Sequence, residues 1–122
     1  MKSIVCWLVL LFCTPSFATG SEWTAEQKSW YVASNILLLA DWATTRDMTR
    51  RYDEGYYERN LILGRRPSTR QVDLYFVTYL VGHYFLTDYL QGRNREIYLY
   101  TVTGIEGIAV SNNLNIGLKL RF

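Results

Sequence analysis

Val72–Leu90, VDLYFVTYLVGHYFLTDYL, is the stretch on which the reading of this chain turns. Its length is close to the ~20 residues that a bilayer-crossing helix needs. Both of its ends are marked. Upstream, Pro67 precedes Ser68-Thr69-Arg70-Gln71, a hydroxyl followed three residues later by Gln, which fits a capping box. Downstream stands Gly92, where a left-handed helix stop is common. The stretch therefore predicts a helix, although Asp73, His83 and Asp88 interrupt its apolar character.

Two further apolar segments flank it. The first, SWYVASNILLLADWATT, covers residues 29–45, and the other, IYLYTVTGIEGIAV, covers residues 97–110. The latter reads equally as helix or strand, because its β-branched and aromatic residues suit either. Gly104 and Gly107 weaken a helix there unless another backbone packs closely against them. Each segment carries at least one acid. The expected fold is all-α: a small membrane helical bundle of about three helices after a signal peptide, with a short extended C-terminal tail. No internal repeat divides the chain, and 122 residues make one domain.

The N-terminus has the layout of an export signal. Lys2 gives the positive start, Ile4 to Phe12 the apolar run, and Pro15 the break. Ser16-Phe17-Ala18 sets small residues at both positions that a signal peptidase inspects, so residues 1–18 are expected to be a signal peptide and 19–122 the mature domain. A retained anchor helix is the alternative, although the run is short for a span. Cys6 and Cys13 both lie in this segment, so cleavage leaves no thiol, disulfide or cysteine–metal site. No cofactor is predicted, and whether a metal binds stays open. A net charge of +2 excludes a nucleic-acid footprint.

Charge placement suggests an orientation. Residues 46–70 carry seven arginines against four acids, whereas only Arg93, Arg95 and Glu96 separate the second and third apolar segments. The positive-inside rule then assigns the arginine-rich loop to the cytoplasm. The expectation is a multi-pass protein of the bacterial inner membrane, its mature N-terminus periplasmic and its C-terminus cytoplasmic. The ten Tyr and four Trp suit a lipid–water boundary.

Polar residues within the apolar segments are the candidate site. On a helical wheel Ser34, Asp41 and Thr45 form one stripe, with Asp47 off it among the loop charges, while Thr103, Glu106 and Asn113 form another. At 1.5 Å per residue, His83 and Glu106 lie at similar depths, roughly 12 and 13 Å from the same end, and are expected to meet. His83, Glu106, Asp41 and Glu58 are the catalytic candidates, since a His among carboxylates suits general-base or hard-metal chemistry. Asp41, Asn60, Asp73, Asp88 and Asn113 are expected to form a structural polar cluster, with Arg46 or Arg50 pairing Asp41 and Asp73. In the loop YDEGYYERNLILGRRPS at 52–68, Glu58 and Asn60 read as braces. Arg65 and Arg66 are headgroup-binding candidates at the start of a helix. No spacing such as H-E-x-x-H is present.

The pattern D-W-A-T-T-R at 41–46, then E-R-N-L-I-L-G-R-R-P-S at 58–68, then V-D-L-Y-F at 72–76 resembles a group of small, signal-bearing membrane proteins of bacterial and phage genomes. Members carry an E-x-N-P-x-L-G-x-x-P-S loop between hydrophobic helices. The resemblance spans about residues 30–120. Leu61 stands where that group has Pro, which leaves this loop freer. It implies a small membrane protein in which Asp41, Glu58, Asn60, Asp73 and His83 act as a unit, and it implies no substrate.

The expected function is contact with another envelope protein, with membrane lipid as a second partner, a homo-oligomer as an alternative, and a phage or prophage origin. A small intramembrane enzyme, lipid-modifying or dependent on a proton or metal, competes with it through His83 and the carboxylates. A third reading is a periplasmic or outer-membrane protein, because NIGLKLRF at 115–122 alternates and ends in Phe like a barrel's last strand.

Overall fold

The computed structural model describes residues 22–122, and the expected signal segment lies outside them. Three helices follow one another: α1 (Ala25–Thr49), α2 (Thr69–Tyr89) and α3 (Gly92–Asn115), with a single 3-10 turn at Tyr52–Glu54 after α1. The all-α expectation holds, and the ambiguous third segment is helix. Among the described residues there is no strand. No helix among them is long and apolar enough to cross a membrane.

The helix starts have local causes. At Ser68 the side chain accepts from the Gln71 N–H, and the Gln71 side chain accepts from the Ser68 N–H, so the capping box read from sequence is present. An equivalent box at Thr24 and Gln27 opens α1 four residues before the apolar segment begins. Gly92 is not the terminator of α2. It is the first residue of α3, at φ +50°, and Leu90 closes α2 in extended conformation. The tight turn is held by Arg95, whose Nε donates to the carbonyls of Thr87 (2.9 Å) and Leu90 (2.8 Å) while another nitrogen reaches Gln27 Oε1 (3.1 Å). Those carbonyls lack intrahelical partners and sit at the negative end of α2.

α1 packs against both other helices, and α2 and α3 touch each other far less. The apolar core lies between α1 and α2, where Leu38, Trp42, Val72, Phe76 and Leu80 pack together. Trp42 and Phe76 stack at 6.0 Å, and the Trp42 indole donates to Asp73 at 2.8 Å. Elsewhere the interior is polar: Asn35, Thr44, Asp47, His83, Thr87 and Arg95 are all fully buried. Gly104 and Gly107 do not mark a close helix crossing. A Cβ on Gly104 would meet nothing, and one on Gly107 would reach only the tip of Leu37, at 3.9 Å.

α3 ends in a Schellman motif. Gly117 N–H donates to Leu114 O and Leu118 N–H to Asn113 O, with Gly117 at φ +93°. The tail then folds back along α1, burying Leu118 and setting Phe122 edge-on to Trp42 at 5.3 Å. It forms no strand.

Candidate functional site

Where the three helices enclose the middle of α1, a pair of carboxyl groups meets. Asp41 comes from α1 and Glu106 from α3, and the Tyr79 hydroxyl of α2 approaches Glu106 from the third side. Asn113, two turns beyond Glu106, donates to Asp41 Oδ1 at 2.7 Å and to Thr44 Oγ1 at 2.9 Å. Asp41 is partly exposed, whereas Glu106 is only 4% exposed and its Oε2 has no hydrogen-bond partner among the described residues. No arginine or lysine among them forms an ion pair with Asp41, Glu58 or Glu106. Burial is the largest influence on Asp41, followed by the charges of Glu106 and Glu58, and together they push its pKa up to about 7. Burial raises Glu106 as well, partly offset by Tyr79 and Asp41. Neighbouring carboxyls away from bulk water disfavour ionising together, which is the direction of both shifts.

The loop after α1 closes one side. Glu58 Oε1 accepts the N–H groups of Arg59 and Asn60, both at 2.8 Å, and Asn60 donates to the Tyr75 hydroxyl at 2.8 Å. Glu58 and Asn60 thus brace the loop as expected. Beside them runs a groove of about 610 Å³ lined by Ile62, Leu63, Gln71, Leu74, Tyr75, Thr78 and Tyr79. Tyr79 therefore belongs both to the groove wall and to the carboxyl pair. Sequence reading missed Tyr75 and Tyr79, although their spacing of four on one helix face was the available signal.

His83 is not part of this cluster. Its Nε2 lies 2.8 Å from Ser34 Oγ and its Nδ1 2.9 Å from the Tyr98 hydroxyl, and the ring stacks on Tyr31. The expected meeting of His83 with Glu106 does not occur. Burial lowers the His83 pKa to about 4, so the ring is neutral. Ser34 Oγ also donates to Tyr31 O at 2.8 Å. With the serine proton committed there, Nε2–H is the donor to Ser34 and Nδ1 accepts from Tyr98. That tautomer holds the histidine as a bridge between helices and leaves no base facing the serine.

The remaining candidates separate. Asp73 pairs with Arg46 at 3.4 Å, the expected partner, and Asp88 accepts from the Trp23 indole at 3.2 Å. The Arg65 and Arg66 guanidiniums lie over the rings of Tyr57 and Tyr52. Asp47 is the correction. Far from being a loop charge, it is wholly buried and accepts from Arg51, from the Lys119 N–H and from Arg121. Burial pushes its carboxyl up, but those donors outweigh it and hold it below the ordinary range. Among the described residues no group of three or more His, Cys, Asp or Glu side chains is arranged to hold a metal ion. Comparison with protein-family models, with curated proteins and with solved structures gave no match.

Proposed function

We propose that this chain is a membrane-associated protein of the bacterial envelope that acts by contact, resting the outer face of α2 and the tip of the preceding loop on lipid. One observation carries the reading. Leu74, Val77, Val81, Phe85 and Tyr89 are all exposed along one side of α2, and the row continues into Leu61 and Ile62, which are 97% and 82% exposed. A patch of this kind on a chain with a polar interior needs a cover. The exposed arginines 59, 65, 66 and 70 border the apolar tip. That combination favours an anionic headgroup layer over an uncharged partner surface, at about 1 kcal/mol per basic residue near the surface. The reading requires no helix to cross the bilayer, and the export signal expected at residues 1–18 supports the envelope as the location.

Flotation of the full chain with phosphatidylglycerol-containing and purely phosphatidylcholine vesicles tests it. The chain is expected to float with both and more completely with the anionic ones. Leu61→Asp with Ile62→Asp should lower recovery on both. Arg65→Ala with Arg66→Ala should reduce only the salt-sensitive anionic excess. If the unmodified chain stays in the aqueous fraction with both vesicle types, the proposal is wrong.

A further inference from the structure

Docking through α2 leaves the outer side of α3 uncovered. Leu99, Val102, Glu106 and Val110 turn inwards from this helix. Opposite them, at 100° per residue, run Ile97, Thr101, Gly104, Ile108, Ser111 and Asn115, all exposed. Their steps alternate between four and three residues, the seam spacing with which one helix meets another. Small and hydrogen-bonding residues interrupt the isoleucines. Lipid tails offer such residues nothing, whereas a second helix approaches small residues closely and bonds to Thr, Ser and Asn. From Ile97 to Leu118 the sole charged residue is Glu106, which is buried. A Cβ on Gly104 would meet nothing within 4 Å, so the notch there is open from outside.

We infer that this face is a homodimer interface, on which α3 packs antiparallel against α3 of a second copy about a two-fold axis level with Glu106. The line is complementary to itself when reversed. Gly104 then meets Ile108 of the second copy, Thr101 meets Ser111 and Ile97 meets Asn115, and each contact occurs twice. Ile108 fills the notch over Gly104. The Thr101 hydroxyl donates to Ile97 O at 2.7 Å, and its oxygen accepts from the Ser111 hydroxyl of the second copy. A parallel pair would set each residue against its own kind and leave Gly104 facing Gly104. A charge near a two-fold axis would meet its like, and this face exposes none. Reversal also places opposite helix ends side by side. The strip is about 27 Å long and one helix wide, at the small end of interface sizes, so the dimer is reversible. The face is separate from the lipid-facing row of α2, and either reading can fail alone.

Sedimentation equilibrium of the full chain in non-ionic detergent micelles, which cover the α2 row, tests the inference. A reversible monomer–dimer equilibrium is expected. Ile108→Glu and Gly104→Leu, both at exposed positions, should each weaken it at least about tenfold while helicity is kept. Ile36→Asp, at an exposed site on α1, should leave it unchanged. Orientation is read by disulfide formation in a Cys6→Ser, Cys13→Ser background. Thr101→Cys chains mixed with Ser111→Cys chains should give the mixed disulfide, and neither should pair with itself. A monomer at every concentration would mean that detergent, and hence lipid, covers α3, and would overturn the inference. So would a dimer indifferent to both α3 variants, one weakened equally by Ile36→Asp, species growing beyond the dimer, or disulfides confined to like variants.

Discussion

Two titratable residues set between the helices pull stability in opposite directions across the same pH range. The folded-state pKa of Asp41 is raised, from 3.8 to about 7. The fold therefore favours its protonated form, and its contribution is complete below pH 3.8 and lost as pH rises through about 7. The folded-state pKa of His83 is lowered, from 6.5 to about 4. Its contribution is complete above pH 6.5 and lost as pH falls through about 4. A shift of that size is worth about 3 kcal/mol. Between about pH 4 and 7 the two slopes offset. Urea unfolding of the unmodified chain across this window should show a shallow dependence. Asp41→Asn is expected to tilt the dependence upward with pH relative to the unmodified chain, and His83→Asn to tilt it downward. Parallel curves for all three would disprove the linkage. Of these residues, Asp41 was legible as an acid facing the other helices because the wheel placed it with Ser34 and Thr45, and its partner Asn113 because it shares a face with Glu106. The partners of His83 were not legible. Depth along a helix says nothing about rotation around it, and rotation is what turns His83 towards Ser34 and Tyr98.

At the scale of elements, α2 was readable and α3 was not, for one physical reason. The capped start of α2 leaves its mark in the sequence, although Gly92, which reads there as its stop, opens α3 instead. In α3, Leu99, Val102 and Val110 point inwards while Ile97, Ile105 and Ile108 are exposed. Apolar residues occupy all sides, and the 3.6-residue period that identifies a helix disappears. What fixes the start of α3 is Arg95, which sequence reading could assign only to a loop. The Ser68 cap gives the element-scale prediction. Ser68→Ala removes the acceptor for the Gln71 N–H and should cost about 1 kcal/mol. That corresponds to a fall in Tm of about 4–8 °C for a domain of this size. A Gly at the same position should cost only a few tenths of a kcal/mol. Thermal unfolding followed at the helical band measures both, and equal losses for Ala and Gly would argue against a capping role.

Over the whole molecule, the tail joins the ends of the bundle, and Asp47 is where they meet. One carboxylate accepts from Arg51 at 3.1 Å, from the Lys119 N–H at 2.9 Å and from Arg121 Nε at 2.9 Å. Arg51 also donates to Gly117 O and to the Tyr56 hydroxyl, and Tyr56 donates to Ile116 O. The turn at Gly117 is tight enough that an added Cβ would stand 3.1 Å from the Tyr56 oxygen. None of this is visible in a one-dimensional pattern, because the wheel compares Asp47 with its helix neighbours and not with residues seventy positions away. The alternation at 115–122 suggested a strand, yet it serves to aim Leu118 inwards and Phe122 at Trp42. Asp47→Ala should therefore release the tail and cost about 1–3 kcal/mol, since it removes hydrogen bonds from charged donors, of which Arg51 keeps Glu54 and Arg121 is half exposed. Deleting residues 118–122 should alter Trp42 fluorescence in the same direction as Asp47→Ala, and combining the two changes should add little. Acid should mimic them. The Asp47 pKa is depressed in the fold, so its contribution is present above the unfolded value of 3.8 and is lost as pH falls through the folded one. A Trp42 signal that responds to the deletion but neither to Asp47→Ala nor to acid would mean that Leu118 and Phe122 hold the tail without the carboxylate.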